Sequence, residues 1–181
     1  GNGGGRWLPV RDAGRYTADV FVQVLGARGV SVSRTDRIAQ IPPVYILAKH
    51  DSAPVVSLVQ DMLKYSTNLT AEVLGLRSSL QERQVESLAA SAALMQDWSA
   101  QRLGMQAARF VDHSGLGDQT RVSPLDMVRA LRAKHLNDPR FVDVLKPIPV
   151  RDAKGTVQGA AEYSIQAKTG TLNFVSTLAG Y

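Results

Sequence analysis

The sequence contains no cysteine among its 181 residues. This absence excludes disulfide bonds, a catalytic thiolate and any metal site that depends on cysteine ligands. It leaves the cellular compartment open, because many exported proteins also lack cysteine. The three histidines form no H-E-x-x-H motif, and no phosphate loop, dinucleotide motif or G-x-S-x-G motif is present. The sequence therefore predicts no metal and no cofactor.

Long apolar runs and clustered charge are also missing. No stretch approaches the roughly 20 apolar residues that a transmembrane helix needs, and the first residues lack a secretory signal pattern. The net charge of +5 comes from 21 basic and 16 acidic residues that are scattered along the chain, and aromatic residues make up only 6%. This pattern predicts no nucleic-acid partner, while a weak attraction to an anionic polymer such as a cell wall is compatible with it.

The remaining composition is that of a globular domain, with 44% hydrophobic and 20% charged residues. Residues 1–5 are four glycines and one asparagine, which predicts a flexible lead-in. Residues 6–181 are numerous enough to enclose a core of their own.

Helical spacing, N-cap residues and helix-stopping residues predict helices first and strands last. The predicted helices cover about residues 13–28, 52–64, 68–76, 85–103 and 124–134, with a short one after Asp138-Pro139. A buried strand is predicted at 44–48, and an antiparallel hairpin at 163–171 and 174–181. This order predicts an α+β domain.

Two short motifs could carry chemistry: Ser66-Thr67-Asn68 at a break between two helices, and Lys168-Thr169-Gly170-Thr171 on a predicted strand. At average composition, S-x-N occurs in roughly half of chains this long and K-T-G in roughly one in twenty-five. Taken singly, they are compatible with a helix cap at Ser66 and an ordinary hairpin lysine at Lys168. In this order they are two of the three motifs of penicillin-binding proteins and serine β-lactamases.

The physical roles of these residue types agree with that pairing. A hydroxyl between two helices can face a cleft and pass a proton, and the Asn68 amide offers a donor and an acceptor to a substrate amide. Lys168 supplies a positive charge for a carboxylate. Gly170 lets a substrate backbone approach, and the strand can pair with a peptide.

The flanking residues make the resemblance specific. The segments at 61–72 (DMLKYSTNLTAE), 110–116 (FVDHSGL) and 167–172 (AKTGTL) resemble the D-alanyl-D-alanine carboxypeptidase/endopeptidase family, the class C low-molecular-mass penicillin-binding proteins. His113 stands where that family usually has glycine. The resemblance covers about residues 7–181.

This resemblance implies a transpeptidase-like domain with helices on an antiparallel sheet, of which residues 6–181 would be the C-terminal portion. It implies a periplasmic enzyme that cleaves peptidoglycan stem peptides through an acyl-serine and is inhibited by β-lactams. Ser66 would relay a proton, Asn68 would hold the substrate amide and help to position a general-base lysine, and Lys168 would bind the substrate carboxylate and tune Ser66. Thr169 and Thr171, on either side of Gly170, would orient the substrate.

One expected motif is missing, because no serine in the sequence is followed by lysine three residues later. The S-x-x-K nucleophile is therefore expected in another segment, and we expect this chain to be a portion that associates with the rest of its protein. The adjacent Asp112, His113 and Ser114 cannot stack as a catalytic triad, because neighbours in sequence do not line up in that way. A non-catalytic cell-wall-binding or scaffold module and a serine β-lactamase are the alternatives, and the sequence leaves open carboxypeptidase or endopeptidase action.

Overall fold

The structure is a computed structural model that describes residues 10–40, 43, 45–159, 162–172 and 174–181. It divides into two compact units, residues 1–50 and residues 51–181, and each is described by itself. The lead-in predicted at residues 1–5 lies outside the described residues. Within the described part of the chain, no helix is long and apolar enough to cross a membrane.

The first unit contains helix α1, Ala13–Gly26. Asp12 caps it as predicted, because its carboxylate accepts the backbone N–H of Arg15 at 3.0 Å and also pairs with Arg37 at 2.8 Å. The helix ends two residues earlier than predicted. The chain then turns through Gly29, whose φ of +80° is a left-handed conformation that glycine adopts without strain.

The prediction of a buried strand at 44–48 is wrong for residues 45–48. Val44 lies outside the described residues, and residues 45–48 form no strand. Tyr45, Ile46 and Leu47 are 95%, 83% and 97% exposed. An apolar run becomes a buried strand only when a neighbouring strand takes up its backbone hydrogen bonds, and the described part of this unit contains no strand.

In its described residues, the second unit contains four helices, a 3-10 helix and three strands. The helices are α2 (Val55–Tyr65), α3 (Asn68–Glu82), α4 (Leu88–Leu103) and α5 (Pro124–Asn137), followed by the 3-10 helix Pro139–Val144. Side-chain hydroxyls fix two of the starts: Ser87 accepts from the Ala90 N–H, and Ser123 accepts from the Asp126 N–H. The cap at Ser87 explains why α4 begins at Leu88 and not at the predicted residue 85.

The strands β1 (Lys146–Ile148), β2 (Ile165–Leu172) and β3 (Val175–Gly180) form an antiparallel sheet in the order β1-β2-β3. The predicted hairpin is thus β2 and β3, whereas β1 was not predicted. Tyr181 donates its hydroxyl to the Leu131 carbonyl at 2.6 Å, which ties the end of the sheet to α5. Helices packed with a small antiparallel sheet confirm the α+β class. Among the residues that the structure describes, the buried apolar ones are Ala92, Met105, Ala108, Leu145 and Ala167.

Candidate active site

Ser66 occupies a strained junction between α2 and α3. It ends α2 with φ 55° and ψ 48°, the left-handed conformation, and its N–H bonds to the Met62 carbonyl. Thr67 follows as the cap residue of α3, and Asn68 is the first residue of that helix. Left-handed non-glycine residues are uncommon and concentrate at functional sites. Ser66 and Asn68 are both exposed and lie two residues apart at this junction.

Lys168 reaches this junction from the middle strand of the sheet. Its Nζ donates a hydrogen bond to Ser66 Oγ at 2.7 Å, although the two residues are 102 positions apart in the chain. The same ammonium also contacts the Thr169 carbonyl. Because Ser66 Oγ accepts this bond, its own proton remains free for a third group. The structure therefore brings together the two motifs that the sequence singled out.

The charge of Lys168 is held in a partly desolvated position. Burial, and then the positive charge of Lys146 on β1, lower the pKa of the Lys168 ammonium below its usual value. Lys146 lies beside Ala167 in the strand register, one residue before Lys168. Two like charges this near a sheet edge favour an anionic partner.

The sheet leaves one edge of β2 open beyond Ala167. Pairing with β1 covers only Ile165 to Ala167, whereas pairing with β3 continues to Leu172. Gln166 exchanges both backbone hydrogen bonds with Tyr181, so its N–H and C=O point toward β3. Since these directions alternate along a strand, the backbone groups of Thr169 and Thr171 point toward the open edge. Among the described residues, no strand covers that edge.

Gly170 has a structural reason to be glycine. A Cβ at this position would lie 2.5 Å from Thr177 Oγ1 on β3, well inside normal contact distance. Its close approach to Thr177 is thus fixed by the hairpin itself. The sequence reasoning assigned this glycine to substrate approach, and that role stays a prediction.

Sequence reasoning missed two residues around this site. Lys146 lies on a three-residue strand that contains Pro147, and so short a segment shows no alternation. Glu72 lies one helical turn after Asn68, and its carboxylate holds the backbone of the loop at 112–116. The spacing Asn68-x-x-x-Glu72 was visible in the sequence, but the segment that Glu72 contacts was not.

Known proteins match the chain over nearly its whole length. The family model described as the D-Ala-D-Ala carboxypeptidase 3 (S13) family matches residues 1–181. A D-alanyl-D-alanine carboxypeptidase of Haemophilus influenzae, DacB, is 25% identical over 95% of this chain and 38% of its own length. A carboxypeptidase of Mycobacterium tuberculosis is 26% identical over the same share of each chain, 95% and 38%. The chain thus spans well under half the length of these curated relatives.

A solved structure gives the same result for the fold. The crystal structure of penicillin-binding protein 4 from Haemophilus influenzae, complexed with a β-lactam, matches with a TM-score of 0.75 and 25% identity. The match covers 96% of this chain and 42% of the other. The transpeptidase-like fold that the family resemblance implied is confirmed. Together with the family model, these matches show that the chain belongs to the D-Ala-D-Ala carboxypeptidase 3 (S13) family.

Proposed function

We propose that this chain forms part of a serine-type D-Ala-D-Ala carboxypeptidase or endopeptidase that acts on peptidoglycan stem peptides. The acyl-accepting serine and its lysine are contributed by a segment outside residues 1–181. The supporting observation is the 2.7 Å hydrogen bond from Lys168 Nζ to Ser66 Oγ. It joins a cation and a hydroxyl from distant parts of the chain at one exposed point, in a family of carboxypeptidases.

In this proposal Ser66 carries a proton to the leaving amine. The ammonium of Lys168 occupies a lone pair of Ser66 Oγ and stabilises negative charge that develops there, so that the hydroxyl proton is directed to the substrate. The same ammonium attracts the carboxylate of the terminal D-alanine. Asn68 offers its amide to the substrate peptide bond and helps to position the general-base lysine.

The open edge of β2 supplies the binding surface for the peptide backbone. The N–H and C=O groups of Thr171 and the N–H of Thr169 face this edge, so a substrate laid alongside extends the sheet by one strand. The Thr169 carbonyl is already held by Lys168, which places the cation at the end of the bound peptide. A β-lactam, which resembles such a peptide, binds in the same place. A cell-wall substrate puts the enzyme outside the cytoplasm, in the periplasm.

The proposal is tested by incubating the natural gene product that carries this chain with a fluorescent penicillin and mapping the label by mass spectrometry. The label is expected on a serine outside residues 1–181 that has lysine three residues later. Lys168→Ala is expected to slow acylation by at least about a hundredfold, the usual loss when a preorganised charge is removed. Lys154→Ala, in an exposed turn, is the matched control and leaves the rate unchanged.

Two results would overturn the proposal. Label attached to Ser66 would show that Ser66 is the nucleophile and not the relay. No label on the gene product would favour the non-catalytic cell-wall module.

A further inference from the structure

The loop at 112–116 is fastened to α3 by one carboxylate. Both oxygens of Glu72 accept the backbone N–H of His113, at 3.3 and 3.2 Å, and Oε1 also accepts the N–H of Ser114 at 3.0 Å. Hydrogen bonds to an ionised acceptor are about twice as strong as neutral ones. The loop is also braced internally, because the Asp112 carboxylate accepts the N–H groups of Gly115 and Gly117.

The imidazole of His113 provides a second anchor for the loop, because it contacts both α3 and α4. Its ring lies against Gly75, where an added Cβ would come within 2.2 Å of the ring. Its Nε2 lies 2.8 Å from Oγ of Ser91 on α4, and its Nδ1 lies 3.4 Å from the sulfur of Met95. The His113 ring thus packs directly on Gly75 of α3, and no space is left for a side chain at position 75.

Buried hydroxyls extend the contacts of the ring. Ser79 Oγ lies 3.4 Å from the Ser91 carbonyl and 2.6 Å from Ser91 Oγ, and Ser91 Oγ lies 2.8 Å from Nε2 of His113. Ser91 Oγ has one proton, so it donates to one of these two neighbours and accepts from the other. Ser91 is fully buried and Ser79 is nearly so. The ring therefore completes a buried polar chain and is held firmly in place.

These fastenings act on the helix that begins at Asn68. Asn68 and Glu72 are four residues apart and Gly75 is three further on, so all three lie along one face of α3. The cap residue Thr67 makes no side-chain hydrogen bond to the start of the helix. The first turn of α3 is thus supported one turn later, at Glu72, and not at its own cap.

We propose that Glu72 and His113 are positioning residues that hold the start of α3, and with it Asn68, in register with the Ser66–Lys168 pair. This inference rests on the proposed function for its catalytic consequence. Neither residue touches the substrate in this arrangement. Loss of the Glu72 carboxylate releases the loop, and the first turn of α3 then loses the support that holds Asn68 in place two residues after Ser66.

The structural part is tested on the natural gene product that carries this chain by hydrogen exchange followed residue by residue. Glu72→Ala is expected to raise exchange of the His113 and Ser114 amides by at least about tenfold, the factor for one lost charge-assisted hydrogen bond. It is also expected to raise exchange of the Ala71 amide, which bonds to the Thr67 carbonyl at 3.2 Å in the first turn of α3. Glu82→Ala, at the far end of the same helix, is the control.

Glu72→Gln keeps the size of the side chain and one carbonyl acceptor, so it is expected to restore part of the protection and serves if Glu72→Ala does not fold. Faster exchange at His113 and Ser114 with no change at Ala71 would overturn the inference, because Glu72 would then anchor only the loop.

The catalytic part uses the natural gene product and separates binding from acylation. Glu72→Ala is expected to lower the acylation rate constant by about tenfold to a hundredfold, as for a misplaced catalytic group, with little change in the dissociation constant of the non-covalent penicillin complex. Glu72→Gln is expected to recover part of the rate. An unchanged acylation rate in Glu72→Ala would overturn the positioning role. A wild-type protein that is not acylated at all would overturn the proposed function, and the exchange experiment would still decide the structural part.

Discussion

The effect of Gly75→Ala on the free energy of unfolding is expected to depend on the residue at position 113: destabilising with His113, stabilising with alanine there. In an isolated helix, Gly→Ala stabilises by about 0.5–1 kcal/mol because alanine loses less backbone entropy. In this protein the new Cβ would lie 2.2, 2.3 and 2.5 Å from three ring atoms of His113. Contacts to carbon shorter than about 3 Å are not tolerated, so the His113 ring must move away from α3.

The magnitude follows from these contacts. Overpacking of this kind costs about 1–3 kcal/mol, and the lost His113–Ser91 hydrogen bond costs about 1 kcal/mol more. After subtraction of the helix-propensity gain, Gly75→Ala is expected to destabilise the chain by about 1–3 kcal/mol. In a His113→Ala background the obstructing ring is gone, so the same substitution is expected to stabilise by about 0.5–1 kcal/mol.

Urea unfolding of the four proteins, at one fixed protein concentration, measures this double-mutant cycle. The control background is His135→Ala, an exposed histidine on α5, in which Gly75→Ala should remain destabilising. A Gly75→Ala protein that is as stable as wild type, or equally destabilised with and without the His113 ring, would refute the packing of His113 against α3.

Three further outcomes are expected. The 181-residue chain alone should form no covalent adduct with a fluorescent penicillin, because Ser66 has no lysine three residues later to activate it; a denaturation-resistant label on Ser66 would contradict this. Lys146→Gln should raise the pKa of Lys168 toward its usual value, since it removes the second cause of the lowered pKa and leaves burial in place. NMR titration of the Lys168 side chain measures this pKa, with Lys154→Gln as control, and an unchanged midpoint would refute the coupling. Because the pKa of Lys168 is lowered in the folded state, its charge destabilises the fold at pH values below the folded-state pKa. This destabilisation is relieved as the pH rises from the folded-state pKa to the pKa of the unfolded chain. Finally, the isolated chain should associate in light scattering, because β3 exposes apolar residues on an edge strand; a strict monomer with strong amide protection across β3 would show otherwise.

Local signals predicted most of the helices and the hairpin. A cap residue such as Ser123 acts within three residues of itself, so its effect is readable from sequence, whereas the cap at Ser87 was not recognised and the start of α4 was placed three residues too early. The strand at 44–48 was wrong because burial of an apolar run depends on a partner strand. The strand β1 was missed because it is three residues long and owes its conformation to pairing with β2.

At the candidate site, too, short motifs were visible in the sequence, whereas contacts between distant segments were not. The two motifs singled out in the sequence lie together, with Lys168 Nζ 2.7 Å from Ser66 Oγ, while the catalytic roles assigned to them stay predictions. The contacts of Glu72 and His113 were not predicted, because they depend on how a loop lies across two helices. A signal was present all the same: glycine inside a helix is unfavourable, so Gly75 indicated that something packs closely there, and the unusual His113 was the residue that does so.

The backbone at Ser66 sets protein stability and chemistry against each other. A left-handed conformation costs an L-residue about 1 kcal/mol that glycine does not incur, so a Ser66→Gly chain would be the more stable one. It would also lack the hydroxyl that Lys168 contacts. In a library selected only for folding, glycine should accumulate at position 66, whereas a library selected for cell-wall activity should keep serine. The difference between the two populations would measure how strongly function maintains this residue against the drift toward stability.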